Sequence, residues 1–285
     1  MKLEEKIIDE IQMENLKKCE LEILKNFIEV CEKLKLKYYL MGGTLLGAVR
    51  HQGFIPWDDD IDVGMLRSDY EIFLEKGQEL LQEKYFLQTH VTDKEYPYNF
   101  AKIRDTQTTF KETCVRNFDM NHGVFIDIFP LDVYPDKNIN KKLLEFKKNF
   151  ITSRIKEAFY YEKPLLRTSL GKIQLFIAEI CYSDYRTAVK KKEKLLKSCK
   201  KGNMIANHGG AWGAKEIVPA EWYAEGTMLE FEGIPVRGPK EYKLWLTQVY
   251  GDYMKLPPVE KRVTHHYTDV IDVEKSYKYY QNMEP

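Results

Sequence analysis

The sequence predicts an α/β chain of the α+β type, with a mixed-sheet core in residues 1–135 and a mainly helical part in 136–285. Two observations carry the first half of that statement. Strand-length apolar runs alternate with helical periodicity up to Phe129, and the last of them, Val124–Phe129, is apolar almost throughout, as in a strand buried on both faces. The second half rests on Asn140–Lys200, which is helical in pattern, dense in lysine, and interrupted by Pro164 and Gly171.

In chain order, Leu3–Leu34 reads as a helix with apolar positions at Leu24, Phe27, Ile28, Cys31 and Leu34, packing across the sheet. Tyr38–Met41 reads as the first strand, Leu45–Arg50 as a short helix after a paired-glycine turn, and Asp60–Met65 as the second strand. Ser68 and Glu71 have capping-box spacing and start a helix towards Leu81. Tyr85–His90, Phe100–Arg104 and Val124–Phe129 are the remaining core strands, which places the sheet before residue 135. Thr227–Phe231 reads as a hairpin strand and Pro239–Tyr250 as a helix with proline in its first turn.

The chemistry concentrates between Gly42 and Asp62. Gly42 and Gly43, followed by Thr44, let backbone N–H groups approach a phosphate where a helix begins. Arg50 ends that helix, where a cation suits a phosphate ligand and the helix dipole alike. In Asp60-Ile61-Asp62-Val63 the period of a strand puts both carboxylates on one face, and they repel unless a cation neutralises them. Oxygen ligands of this kind suit Mg²⁺ or Mn²⁺. Asp58 and Asp59, taken singly, read as solvated acids. Asp127 stands mid-strand in an apolar run, where a carboxylate needs either a metal or an ion pair with Lys102 or Arg104. One of those two cations is expected to face the site, and the sequence leaves open which.

His122, His265 and His266 suit bases or ligands, although a surface or packed histidine is the commoner case. Trp57, Tyr38, Tyr39 and Trp212 offer aromatic faces to a cationic ligand, although in a chain with 13% aromatic residues such neighbours arise readily by coincidence. The loop 207–213 either closes over a substrate or merely connects. The lysines at 190–194 read as a solvated helix face without a ligand.

Lys plus Arg equals Asp plus Glu at 44 each, which gives no argument for nucleic acid as a partner. The five cysteines are scattered, with no Cys-x-x-Cys, and read as reduced thiols. The N-terminus is densely charged from Lys2 to Glu10, unlike a signal peptide, and no run is long enough to span a bilayer. Leu170–Tyr182 reads as a half-buried helix, with a membrane-surface element as the alternative.

The segment Tyr38–Met65 resembles the LicD family, the phosphocholine transferases of bacterial cell-surface glycans, related to fukutin-type ribitol-phosphate transferases. The wider nucleotidyltransferase signature is Gly-Gly or Gly-Ser, a short helix, Asp-x-Asp on a strand, and a third carboxylate on a later strand. Gly42, Gly43 and Thr44 match the first element, Arg50 the basic position after it, Asp60 and Asp62 the pair, and Asp127 the third acid. The strings Gly123–Asp132 and Val249–Tyr253 with Leu256-Pro257 are similar to the family as well.

The resemblance implies a nucleotidyltransferase-like catalytic core in 1–135, with donor and acceptor binding in 136–285. It implies one or two Mg²⁺ (or Mn²⁺) ions on Asp60, Asp62 and Asp127, and a donor phosphate on Gly42, Gly43, Thr44 and Arg50. Trp57, Lys102, Arg104 and His122 are candidate substrate contacts. The expected reaction moves phosphocholine from CDP-choline, or a related CDP-linked donor, to a hydroxyl of a cell-surface glycan or its precursor, such as teichoic acid or lipopolysaccharide. A cytoplasmic location is expected, at the inner membrane face where the acceptor is lipid-linked. The same three acids would serve a nucleotidyltransferase that places NMP from an NTP on a small molecule or protein. A noncatalytic glycan- or nucleotide-binding module has no need of so repulsive a cluster.

Overall fold

The computed structural model describes residues 9–159, 169–264 and 266–281. Helix α1 (Glu10–Leu34) is closed at its N-terminus by a capping box between Asp9 and Gln12, and its stripe of Leu16, Ile23, Phe27 and Val30 is buried. The expected first turns, from Leu3 to Ile8, lie outside the described residues. The core continues through β1 (Tyr39–Leu40), α2 (Gly42–His51), β2 (Asp62–Leu66), α3 (Arg67–Leu80), β3 (Tyr85–Gln88), β4 (Ala101–Asp105), β5 (Thr109–Glu112) and β6 (Val124–Tyr134). The main sheet has the order β1-β2-β6-β4-β3, with β2 parallel to β6 and the other pairs antiparallel, so it is mixed as predicted.

Two boundaries differ from expectation for identifiable reasons. Ser68 lies inside α3, whose cap position is Leu66 without a side-chain bond, and Glu71 pairs with Arg67 at 3.1 Å and Lys197 at 2.9 Å instead of closing a capping box. The second strand begins at Asp62, leaving Asp60 in the preceding loop.

The larger difference concerns β6, which does not stop at Phe129. Its first half, Val124–Ile128, pairs with β4, and its second half, Leu131–Tyr134, pairs with β7 (Met204–Asn207), which carries β8 (Ile217–Pro219). Pro130 falls between the two ladders, where its missing N–H costs no bond on that side. The sheet therefore has seven strands among the described residues and draws two of them from beyond residue 135.

Between β6 and β7 lie α4 (Asn138–Lys156), α5 (Ser169–Cys181) and α6 (Tyr185–Leu196). Arg67 fastens this layer to the sheet: it bonds both carboxylate oxygens of Asp132 at 2.8 and 2.7 Å and Glu193 of α6 at 2.9 Å. Helix α5 is half-buried as expected, through Leu175 and Ala178, but its outer face is apolar. Ile173, Phe176, Ile177 and Ile180 are exposed there at helical spacing. No helix among the described residues is long and apolar enough to cross a membrane.

The chain closes with the hairpin β9 (Thr227–Phe231) and β10 (Ile234–Gly238), α7 (Tyr242–Tyr250), β11 (Thr268–Asp272) and α8 (Tyr277–Gln281). Helix α7 starts at Tyr242, later than the expected Pro239. Strand β11 pairs with β5 and brings the C-terminal stretch over the core. All five cysteines are free.

Candidate active site

The paired glycine and the acids form one unit. Gly42 has φ +52°, in the left-handed region that favours glycine, and a Cβ there would lie 2.6 Å from Asp62 Oδ2. A Cβ on Gly43 would lie 2.3 Å from Asp58 Oδ2. The two glycines thus make room for two carboxylates at the start of α2. Thr44 locks the arrangement, since its Oγ1 accepts the Asp62 N–H at 2.8 Å while the Met41 N–H donates to the Asp62 carbonyl at 3.0 Å.

Sheet register supplies the third acid. Asp62 stands beside Asp127 on the parallel β2–β6 ladder, and Asp127 stands beside Lys102 on the antiparallel β6–β4 ladder. Lys102 Nζ lies 2.9 Å from Asp127 Oδ1 and 3.6 Å from Glu112 Oε2, so Lys102 is the cation that faces the site. Arg104 is fully buried and bonds Gln88, the Gly123 carbonyl and Glu112. Burial alone would raise Glu112, yet the charges of Lys102 and Arg104 hold it down to about 2. His122 is buried against the Phe118 carbonyl at 3.0 Å, and burial with Arg104 pushes it down to about 4. Arg104 and His122, expected as candidate substrate contacts, support the sheet and do not line the cleft.

Asp58 and Asp59 are not the solvated acids their sequence suggests, being 5% and 0% exposed. One carboxylate oxygen each from Asp58, Asp59 and Asp60 lies within 4.8 Å of the others. Asp59 accepts from the His266 backbone N–H at 3.2 Å, and its other oxygen lies 3.3 Å from the ring Nδ1. Burial opposes a charge on His266, but the Asp59 hydrogen bond and charge, with Asp60 and Glu112, push it up to about 10. The His266 ring stands edge-on to Phe110 and Phe125, both at 5.8 Å. His265 lies outside the described residues.

Asp58 and Asp62 are pushed well above the usual carboxylate range, first by burial and then by neighbouring acids. Asp127 is raised by burial against the pull of Lys102. Hard oxygen donors crowded by mutual repulsion suit Mg²⁺ or Mn²⁺, and Asp58, Asp60, Asp62 and Asp127, which line one cleft, are residues that could hold one.

These acids open into a cleft of about 1200 Å³. Gly42, Gly43, Arg50, Trp57 and Lys102 line it; Thr44 does not. Arg50 bonds the Tyr253 carbonyl and His51, both at 3.0 Å, and Arg262 stacks 5.4 Å over Trp57. Tyr38 and Tyr39, expected as aromatic faces, are buried in the core. Another aromatic wall takes their place: Tyr98–Phe100 at 4.9 Å, Phe100–Phe129 at 4.6 Å and Tyr98–Phe159 at 5.4 Å, all lining the cleft. The loop after β7 contributes His208 and Trp212, and the C-terminal string contributes Tyr250 and Asp252.

Sequence reasoning missed Lys148, Lys156 and Lys192, which also line the cleft. A signal for Lys192 existed: it sits three residues after Val189 and four before Leu196, both buried, so it shares the inward stripe of α6.

Comparison with known proteins agrees with this geometry. The family described as LicD/FKTN/FKRP, nucleotidyltransferase domain, matches residues 35–177. The lipopolysaccharide cholinephosphotransferase LicD of Haemophilus influenzae is 34% identical over 252 residues, covering 86% of this chain and 92% of that protein. An uncharacterised protein of Rickettsia prowazekii is 37% identical over 120 residues, 40% of each chain. The human ribitol 5-phosphate transferase FKRP is 44% identical over 48 residues, 17% of this chain and 10% of its own length. The glycine-cradled acids, the register-matched third carboxylate and near full-length similarity place this chain in the LicD/FKTN/FKRP family.

Proposed function

We propose that the chain is a phosphotransferase that moves phosphocholine from CDP-choline to a hydroxyl of a cell-surface glycan or its lipid-linked precursor. The observation that carries the choline reading is the cleft's composition, with buried carboxylates and the wall of Tyr98, Phe100, Phe129 and Phe159 in one cavity. Clustered aromatic rings suit a quaternary ammonium group, which forms no hydrogen bonds and is attracted to ring quadrupoles. Near full-length similarity to the Haemophilus influenzae cholinephosphotransferase supports the same class.

Asp58, Asp60, Asp62 and Asp127 would hold Mg²⁺ or Mn²⁺, which when bound neutralises the donor's phosphate oxygens. The Gly42–Gly43 turn and Arg50 seat the donor diphosphate at the start and end of α2. His266, raised by its hydrogen bond to Asp59, would add positive charge beside the acids. The acceptor hydroxyl forms a new O–P bond to the phosphorus bearing choline, the bond to the CMP oxygen breaks, and CMP leaves with that electron pair while the hydroxyl proton passes to water.

The reading extends to the inner face of an anionic membrane. Residues 137–200 contain 17 Lys and Arg against 6 Asp and Glu in a chain of zero net charge, and the exposed apolar stripe of α5 lies among them.

The test is product mass. With Mg²⁺, a glycan acceptor and choline-labelled CDP-choline, label is expected on the acceptor with CMP released. An acceptor gaining a nucleotide, with pyrophosphate released from an NTP, would overturn the reading in favour of nucleotidyl transfer.

A further inference from the structure

The carboxylate turn accounts for one side of the cleft, and the helical layer presents the opposite charge to the same cavity. Lys148 and Lys156 come from α4 and Lys192 from α6, elements that carry none of the proposed metal ligands. Lys148 has a partner in Glu145 at 2.6 Å. The carboxylate next to Lys192, Glu193, is committed to Arg67 at 2.9 Å and Lys197 at 3.0 Å. Lys192 forms no ion pair among the described residues. Among the described residues on this helical side of the cleft, Glu145 alone is ion-paired with any of the three ammonium groups, whose mutual repulsion an anion bound among them would relieve.

His208 points the same way. It lines the cleft, and its Nε2 is buried without a hydrogen-bond partner. Burial and the charges of Lys148, Lys192 and Arg67 push it down to about 3, so it stays neutral beside the lysines. Burial and the charges of Lys148 and Lys156 likewise push Lys192 down to about 8, a shift that an anion bound among them would reverse.

We propose that Lys148, Lys156, Lys192 and His208 form a phosphate-binding subsite on the helical side of the cleft. A phosphate group offers up to three acceptor oxygens and a double charge, which matches several converging ammonium donors better than a carboxylate does. Neither choline nor cytidine enters the argument, so the subsite stands or falls apart from the proposed transfer. The phosphate belongs either to the donor's diphosphate or to a phosphate carried by the acceptor.

The probe is inorganic pyrophosphate, titrated by calorimetry into the full chain with EDTA present, so that no metal bridges it to the acids. Wild type should bind it saturably. Lys192→Met and Lys148→Met should each raise Kd by about tenfold or more, the loss expected for one charge-assisted hydrogen bond. Lys190→Met, an exposed position on the same helix, should leave Kd unchanged. Pyrophosphate should also protect Lys192 from an amine-labelling reagent, read by peptide mass. Absence of saturable binding, or an unchanged Kd in both cleft variants, overturns the subsite. In turnover, a raised KM for CDP-choline in Lys192→Met assigns the phosphate to the donor, and a raised KM for a phosphorylated acceptor assigns it to the acceptor.

Discussion

Gly43→Ala adds a single methyl group and tests whether the paired glycine serves the acids or only a phosphate. The new Cβ would lie 2.3 Å from Asp58 Oδ2, whereas a close C···O contact is about 3.3 Å, so the carboxylate must retreat by about 1 Å. Asp58 is 5% exposed and shares a 4.8 Å cluster with Asp59 and Asp60, so that retreat disturbs the oxygens proposed to hold metal. Misplacement by about 1 Å at a reacting centre costs about a hundredfold in rate. The substitution removes no backbone N–H and favours helix by about 1 kcal/mol, so a pure phosphate turn would tolerate it. The assay is initial rate against Mg²⁺ concentration, with circular dichroism to establish folding. The expected result is a folded enzyme about a hundredfold slower, needing more Mg²⁺ for half-maximal rate. Wild-type rate and Mg²⁺ dependence would refute the cradle argument.

Asp62→Asn should abolish turnover yet raise the melting temperature of the metal-free protein near pH 8. Burial and neighbouring acids raise the folded pKa of Asp62, so its stabilising contribution exists at acid pH and is lost as pH rises through that raised value; retained activity, or a lower melting temperature in EDTA, would count against this. His266→Gln should destabilise the protein at pH 6, and the gap from wild type should close as pH rises towards 10. The folded pKa is raised from 6.5 to about 10, so the Asp59 pairing contributes fully below 6.5 and fades through the higher value; a pH-independent gap in thermal melts would show that the ring acts only by packing. Phe176→Ser with Ile177→Ser should abolish co-sedimentation with phosphatidylglycerol vesicles without affecting the fold, because both side chains are exposed on α5. Equal sedimentation of wild type and variant, or self-association of wild type through this face, would remove the membrane assignment.

The local half of the site was legible because its spacing is local. Gly42, Gly43, Asp60 and Asp62 fall within one helix start, loop and strand, and Asp127 stands out as a charge inside an apolar run. That Lys102 rather than Arg104 faces the cleft was not legible, since adjacent-strand register decides it. Asp58 and Asp59 were misjudged because their burial comes from distant chain, with His266 covering Asp59 from 207 positions away. The aromatic wall and the cleft lysines arise from loops and helices that reach the cleft only through tertiary packing, although the inward stripe of α6 already pointed to Lys192.

Strand β6 is bonded on one side along its length by two segments made at different times. Its Leu131–Tyr134 portion emerges from the ribosome about 70 residues before Met204–Asn207, the partner that completes it. At ordinary synthesis rates of 5–20 residues per second that is roughly 4–14 seconds during which the edge has no β7 to pair with. An apolar, unpaired edge is a template for other chains. A nascent or truncated form ending near residue 135 should therefore be captured by chaperones or aggregate, and the lysine-rich helices made in the interval help keep the longer chain in solution until β7 arrives.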